Sequence, residues 1–207
     1  MKNCYVKFGK SVFDLIFSLL ILALTWPIFI VIAVFIKLSS PGPIIFKQKR
    51  VGKNGKTFTL YKFRTMIKNA QNQQKKYLKL NEADGPVFKI NSDPRFINGL
   101  GKILARSGLD ELPNIINVLK RDMSWVGPRP LPVNEAKKIN QKIRKIRQST
   151  LPGITSLWVI SGAHKLTFTQ WMKLDKQYLN KINLSTDISI LLKTAQMIIK
   201  VYFDNLY

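Results

Sequence analysis

A chain of 207 residues, 46% of them apolar, is long enough to bury a core and too hydrophobic to remain disordered. Its 34 Lys and Arg stand against 11 Asp and Glu, and a formal charge of +23 calls for a polyanionic partner, either nucleic acid or an anionic membrane surface. A single cysteine, Cys4, and a single histidine, His164, exclude an internal disulfide framework and any Cys/His zinc centre, so a metal here must be a hard, oxygen-bound ion.

Residues 12–36 carry one charge, Asp14, and are otherwise interrupted only by Ser18, Thr25, Trp26 and Pro27. A bilayer core takes about 20 apolar residues as helix, so the run is long enough to cross one. Its length and the lack of a small-residue cleavage site after it read as a retained anchor rather than a signal peptide. Lys2, Lys7 and Lys10 precede the run, and Lys37, Lys47, Lys49, Arg50 and Lys53 follow it. Both flanks therefore carry cytoplasmic-side charge. Pro27 removes a helical hydrogen bond just past the middle, and a re-entrant helix broken at Trp26-Pro27 keeps both basic flanks on one face. That is the preferred expectation, with a single kinked span as the alternative.

From residue 39 the texture changes, giving an expected anchor over 1–38 and a mixed α/β, helix-rich domain with interfacial amphipathic helices over 39–207. Ser40-Pro41-Gly42-Pro43 is a rigid turn, and Asn54-Gly55 marks a hairpin with strands over 46–51 and 57–61. Lys62 and Arg64 follow at i and i+2, on one face of an extended segment, a geometry suited to gripping phosphate oxygens. A solvated edge strand protected by lysine accounts for them equally well. Residues 67–80 read as an exposed helix, the stretch through Glu82, Asp84 and Asp93-Pro94-Arg95 as turns, and residues 99–105 as a short helix leading to Arg106.

Asp110 and Glu111, inside Gly108-Leu109-Asp110-Glu111-Leu112-Pro113, are the exception in a chain that avoids negative charge. Pro113 is tolerated in the first turn of a helix over 114–120, which sets the two acids at its N-terminus. Orphan N–H groups and the macrodipole there favour carboxylate and phosphate charge. An ordinary N-cap explains the pair as readily as an active site does.

Residues 121–126 read as a strand stopped by Gly127-Pro128-Arg129-Pro130. An arginine between two prolines has its backbone nearly fixed, which suits recognition of a planar or phosphorylated group. Residues 136–148 hold six cations and no acid, with Ile139, Ile143 and Ile146 on one side. This is a basic amphipathic helix, and the preceding anchor favours lipid over nucleic acid as its partner. Leu151-Pro152-Gly153-Ile154-Thr155 is a turn into a strand over 157–160. Helices over 168–179 and 186–202 follow, the last with Ile188, Leu191, Leu192, Ala195 and Ile199 as a core-packing face.

Several of these segments together resemble one family. Ser40-Pro-Gly-Pro43, Gln48 with Arg50-Val-Gly52, Lys62-Phe-Arg-Thr-Met66, Asp93-Pro-Arg95, Leu109-Asp-Glu-Leu-Pro113, Asn117-Val-Leu119, Asp122-Met-Ser124, Val126-Gly-Pro-Arg-Pro130 and Pro152-Gly-Ile-Thr155 occur in the order found in the bacterial sugar transferases. More narrowly the chain is similar to the monotopic polyprenyl-phosphate phosphoglycosyl transferases in their minimal catalytic form.

The resemblance implies an enzyme that moves a phospho-sugar from a nucleotide sugar, usually UDP-linked, to undecaprenyl phosphate and releases UMP. It implies Asp110 as nucleophile in a covalent phosphosugar intermediate, and Glu111 together with Asp110 as the Mg²⁺ ligands. Pro128, Arg129 and Pro130 fall where the family contacts the nucleotide, and Lys62, Arg64, Arg95 and Arg106 are assigned to phosphates. The implied place is the cytoplasmic face of the bacterial inner membrane, among anionic lipids and at the start of glycoconjugate assembly, with a homodimer left open.

The chain also departs from the family pattern. Lys10-Ser11 stands for a Lys-Arg pair, and Trp26-Pro27 for Ser-Pro, leaving Thr25 to supply a hydroxyl. Ala105 stands where Arg is common, which makes Arg106 its replacement, and Val159 stands where Gln is common. A basic membrane-tethered nucleic-acid-binding protein is the alternative, but it has charge alone in its favour and no recognised nucleic-acid motif. An inactive scaffold sits poorly with the intact Asp110-Glu111 pair.

Overall fold

The computed structural model describes residues 4–204, with the side chains of His164 and of residues 201–204 outside the described set. A π-helical turn, Tyr5–Gly9, runs into helix α1, Lys10–Ser39. Its 30 residues form one continuous helix through Pro27, so the break expected at that residue is absent. Proline only deletes the N–H that would bond Ala23, and neighbouring groups sustain the helix around the gap. Thr25 Oγ1 donates to the Ile21 carbonyl at 2.7 Å, the hydroxyl support left to it by the missing serine.

One stripe of α1 packs against the rest of the protein along its whole length. Lys10, Asp14, Ser18, Ile32 and Ile36 are buried at helical spacing, and Phe17, Ile21, Leu22 and Phe29 are half-buried against the cores. The remaining faces expose large side chains, among them Leu15, Leu19, Leu24, Trp26, Val31 and Phe35. The helix is long and apolar enough to cross a membrane, and only 11% of its apolar window is buried. Such a surface is far larger than a monomer in water leaves bare.

Strands β1 (Ile45–Val51) and β2 (Thr57–Phe63) pair antiparallel, from Ile45 opposite Phe63 to Val51 opposite Thr57. Their turn uses the expected Asn54-Gly55, both at positive φ, and the second strand runs on to include Lys62. Residues 67–80 do not form the expected helix. They make turns and a 3₁₀ segment, Gln74–Leu80, interrupted at Tyr77. A Gln/Lys-rich segment without an apolar stripe has no face by which packing can stabilise a regular helix.

Helix α2 (Leu100–Ser107) ends at Gly108, whose φ of 75° turns the chain into the 3₁₀ turn Leu109–Glu111 and then α3 (Asn114–Leu119). Strand β3 (Ser124–Val126) pairs in parallel with β4 (Gly153–Thr155). Gly127, just past the end of β3, meets Gly153, the first residue of β4, so closely that a Cβ on Gly153 would run into the Gly127 nitrogen. Only glycine allows that approach, from which Pro128-Arg129-Pro130 emerges.

The basic stretch 136–148 is two helices instead of one, α4 (Val133–Lys137) and α5 (Gln141–Arg147). Asn140 starts the second by accepting from the Lys142 N–H at 2.9 Å. Ile139, at the joint, is buried with Trp158 and Trp171, so the apolar side of this segment serves the core. Residues 157–160 form helix α6 (Leu157–Ile160) instead of a strand, capped by Ser156, and Trp158 stacks on Trp171 with centroids 4.2 Å apart.

Helices α7 (Phe168–Asn180) and α8 (Leu184–Asp204) follow. In α8 the core side carries Asp187, Ile190 and Leu191, while Ile188, Leu192, Ala195 and Ile199 of the expected core face are exposed. Asp187 turns the helix this way. Buried, it accepts from Lys10 Nζ at 2.5 Å, Tyr5 at 2.7 Å and Tyr178 at 2.8 Å.

Candidate active site

Asn117, fully buried on α3, donates through Nδ2 to the Thr59 carbonyl at 2.7 Å and accepts from the Tyr61 N–H at 3.1 Å. Its amide thus pairs with β2 much as another strand would, and this holds α3 and the turn before it against Lys62.

Asp110 and Glu111 lie in that turn, one turn ahead of α3, and neither makes a side-chain capping bond. Their carboxylates face cations instead. Lys62 Nζ lies 2.5 Å from Glu111 Oε1 and 3.4 Å from Asp110 Oδ2, and Arg129 Nη1 lies 3.1 Å from the same Glu111 oxygen. Three segments distant in sequence meet in this cluster, so the capping alternative gives way.

The two acids are unequal. Burial alone would raise Glu111, but Lys62 and Arg129 outweigh it and hold the carboxyl down to about 2. Burial prevails at Asp110 despite Lys62, and the charge of Glu111 adds to it, so this carboxyl is pushed up. Glu111 is consequently fixed as the doubly paired anion. Asp110 keeps the higher basicity with one long cation contact.

Arg129 is held as the two prolines predict. Glu111 raises its pKa, its carbonyl accepts from Arg147 Nη2 at 2.8 Å, and its guanidinium stands 5.9 Å from the Trp158 ring. Arg147 is tied in turn to Asp175 at 2.7 Å. The flanking carbonyls are used as well, Pro128 accepting from the Gly153 N–H at 3.1 Å and Pro130 from Arg50 Nη1 at 2.9 Å.

Arg50 is a site cation that residue-by-residue reasoning missed. Burial, with repulsion from Arg129 added, pulls it down to about 10. Its only sequence signal was its place in Arg50-Val-Gly52. Asn114 was missed too, although it stands four residues after Asp110. Both line a cleft with Lys62, Glu111 and Arg129. Arg129 and Pro130 also border a second cleft that includes Pro128, Arg144 and Arg147.

Three expected phosphate contacts lie elsewhere. Arg64 follows the end of β2 and is buried, donating from Nη1 to the Pro41 carbonyl and from Nη2 to the Ser40 carbonyl, both at 2.6 Å. Arg95 is buried against Asp93 at 2.5 Å, bonds the Ala70 carbonyl at 3.0 Å and lies over the Phe88 and Tyr77 rings. Arg106 is exposed near the end of α2 and takes no part in the cluster.

Among the described residues no group of three or more His, Cys, Asp and Glu stands together for a metal. Two adjacent carboxylates are nevertheless what Mg²⁺ takes when substrate phosphates complete its shell, so the donor set fits that ion.

Residues 5–201 match the family model described as bacterial sugar transferase. The chain is 46% identical over 159 residues to the galactosyl transferase CpsE of Streptococcus agalactiae serotype III, covering 76% of this chain and 35% of that protein. It is 36% identical over 203 residues to the undecaprenyl-phosphate galactose phosphotransferase of Salmonella typhimurium, with 94% and 41% covered. With the UDP-glucose:undecaprenyl-phosphate glucose-1-phosphate transferase of Escherichia coli it shares 37% over 194 residues, with 90% and 39% covered. The chain thus spans between 35% and 41% of the length of these relatives. The family match runs from the first turn of the N-terminal helix through the acid pair to α8, and the chain belongs to the bacterial sugar transferase family.

Proposed function

We propose that this chain transfers a phospho-sugar from a UDP-sugar to undecaprenyl phosphate through a covalent intermediate on Asp110, releasing UMP at the start of glycoconjugate assembly. The observation that carries this reading is the division between the two acids. Glu111 is occupied by Lys62 and Arg129, and Asp110, beside it, is the more basic oxygen and the one less engaged.

A carboxylate oxygen of Asp110 attacks the β-phosphorus of the donor. A new P–O bond forms as the bond to the bridging oxygen breaks, and that oxygen leaves with the electron pair on UMP. A phosphate oxygen of undecaprenyl phosphate then attacks the same phosphorus, and the acyl-phosphate bond breaks to return the carboxylate. Every reactant is anionic, so Lys62, Arg129 and Arg50 offset the repulsion at the reacting phosphorus. Mg²⁺ held by Glu111, with Asp110 alongside, would screen the diphosphate when bound. The cleft lined by Pro128, Arg129 and Arg147 supplies cations for the nucleotide's phosphates. The names of the Salmonella and Escherichia relatives, which specify undecaprenyl phosphate, support the acceptor, and the latter supports a UDP-linked donor.

The exposed apolar faces of α1 enter the cytoplasmic leaflet of the inner membrane in this reading. Support comes from the two ends of the helix. Lys10 at one end is bonded to Asp187, Ile36 at the other is buried with Phe63 and Leu104, and both ends therefore stay on the globular domain. A panel of UDP-sugars with undecaprenyl phosphate tests the function. At least one releases UMP, and Asp110→Asn lowers that rate by about 10³-fold or more. UMP release from none of them, or full activity in Asp110→Asn, overturns it.

A further inference from the structure

The geometry points to Asn114 as the residue that reads the transferred sugar, through two neighbouring hydroxyls; this rests on the donor reaction proposed above. Asn114 is 1% exposed, and both of its side-chain polar atoms, Oδ1 and Nδ2, are buried without a hydrogen-bond partner. A buried amide empty on both donor and acceptor is rare in folded proteins. Three residues further along the same helix, Asn117 has both atoms paired, so loose packing of α3 does not explain it. The backbone from Asp110 to Asn114 is helical, which puts the two side chains on one face a turn apart. Asn114 also lines the cleft that holds Lys62, Glu111 and Arg129.

The cleft chemistry selects the ligand. Arg50, Lys62 and Arg129 supply donors for phosphate oxygens, which only accept. A phosphate on Asn114 would leave Oδ1 empty. Two vicinal hydroxyls fill both atoms, one donating to Oδ1 and the other accepting from Nδ2. The donor has two sources of such a pair, the transferred sugar and the ribose. The sugar is joined directly to the phosphorus that Asp110 attacks, whereas the ribose lies a further phosphate away, and Asn114 is one helical turn from Asp110.

The test compares wild type with Asn114→Leu, similar in shape but without polar atoms, and with Asn114→Ser. For each, kcat/KM is measured for the preferred UDP-sugar, for its monodeoxy analogues at each ring position, and for donors with 2′-deoxy and 3′-deoxy ribose. The expected result is that wild type disfavours two adjacent ring-deoxy analogues by about tenfold or more. Asn114→Leu brings those two ratios near one and leaves the other positions unchanged. A merely structural role would lower all donors equally. Unchanged ratios in Asn114→Leu overturn the inference, and so does a loss of discrimination confined to the ribose, which would assign the amide to the nucleotide. If the leucine variant does not fold, the same ratios in Asn114→Ser decide. A wild type that releases no UMP from any UDP-sugar overturns the function itself, a result distinct from unchanged ratios in an active enzyme.

Discussion

Asp14, inside the apolar helix α1, accepts a hydrogen bond from the backbone N–H of Trp125 at 3.1 Å. The same oxygen accepts from Ser124 Oγ at 3.0 Å, and the Trp125 indole N–H donates to Ser18 Oγ at 2.8 Å. Strand β3 ends at Val126, and the chain runs on through Gly127 to Arg129, which binds Glu111. The apolar helix and the arginine of the candidate site are thereby held by one short stretch of chain.

Asp14→Ala leaves the Ser124 hydroxyl and the Trp125 N–H buried without an acceptor, at a cost of about 1–3 kcal/mol for each. Asp14→Asn keeps an acceptor oxygen and loses less. Thermal unfolding in detergent should order the proteins wild type, Asn, Ala. An alanine variant as stable as wild type would contradict the polar link.

Lys62→Met strands the buried Asp110 and leaves Glu111 with Arg129 alone. Breaking a buried pair in this way costs about 3–5 kcal/mol, and the loss of charge at the reacting phosphorus lowers kcat by about 10²-fold or more. Lys62→Arg restores charge without the point geometry and recovers only part of the rate. Steady-state UMP release per folded enzyme is the measurement, and an unchanged kcat in Lys62→Met would place the chemistry elsewhere.

Arg95 predicts the opposite pattern, since its guanidinium is already committed. Arg95→Met leaves Asp93 buried and unpaired, costing about 3–5 kcal/mol of stability while kcat/KM per folded enzyme stays near wild type. The pH dependence has a definite sign. Burial alone would raise Asp93, but its bonds to Arg95 prevail and hold it below the ordinary value of about 3.9. The pair's contribution is therefore complete above about pH 4 and is lost as pH falls through the lower folded-state value. Unfolding measured from pH 3 to 6 should show an acid-side decline that Asp93→Asn lacks.

Membrane topology has a built-in probe, because Cys4 is exposed and is the only cysteine. If both ends of α1 lie on the cytoplasmic side, an impermeant thiol reagent labels Cys4 in inverted vesicles and not in intact spheroplasts. A second cysteine at Ser40, in a Cys4→Ser background, labels from the same side. Labelling from opposite sides would mean that α1 spans the bilayer.

Local signals carried much of this structure. Asn54-Gly55 specifies the hairpin because both residues take positive φ at little cost, and two acids in so basic a chain marked the site. Lys62 and Arg129 were also legible, one from strand alternation and one from its prolines. Alternation misled at Arg64 because β2 ends at Phe63, after which the i, i+2 rule lapses and the side chain turns to Ser40 and Pro41. Arg95 was lost to an acid only two residues back. Periodicity gave the apolar stripe of α8 but not its direction, which Asp187 sets through a lysine 177 residues away. Asn140 ends a run of apolar spacing by capping a new helix, an event that periodicity does not register.

The most direct measurement asks where the phospho-sugar rests. Purified enzyme is mixed with the active UDP-sugar in the absence of undecaprenyl phosphate, and intact mass is followed by peptide mapping. The expected result is a mass gain of one phospho-sugar on the peptide containing Asp110, one UMP released per adduct, discharge on adding undecaprenyl phosphate, and no adduct in Asp110→Asn. Turnover with no adduct under any trapping condition, or an adduct on Glu111 instead, would contradict Asp110 as the nucleophile.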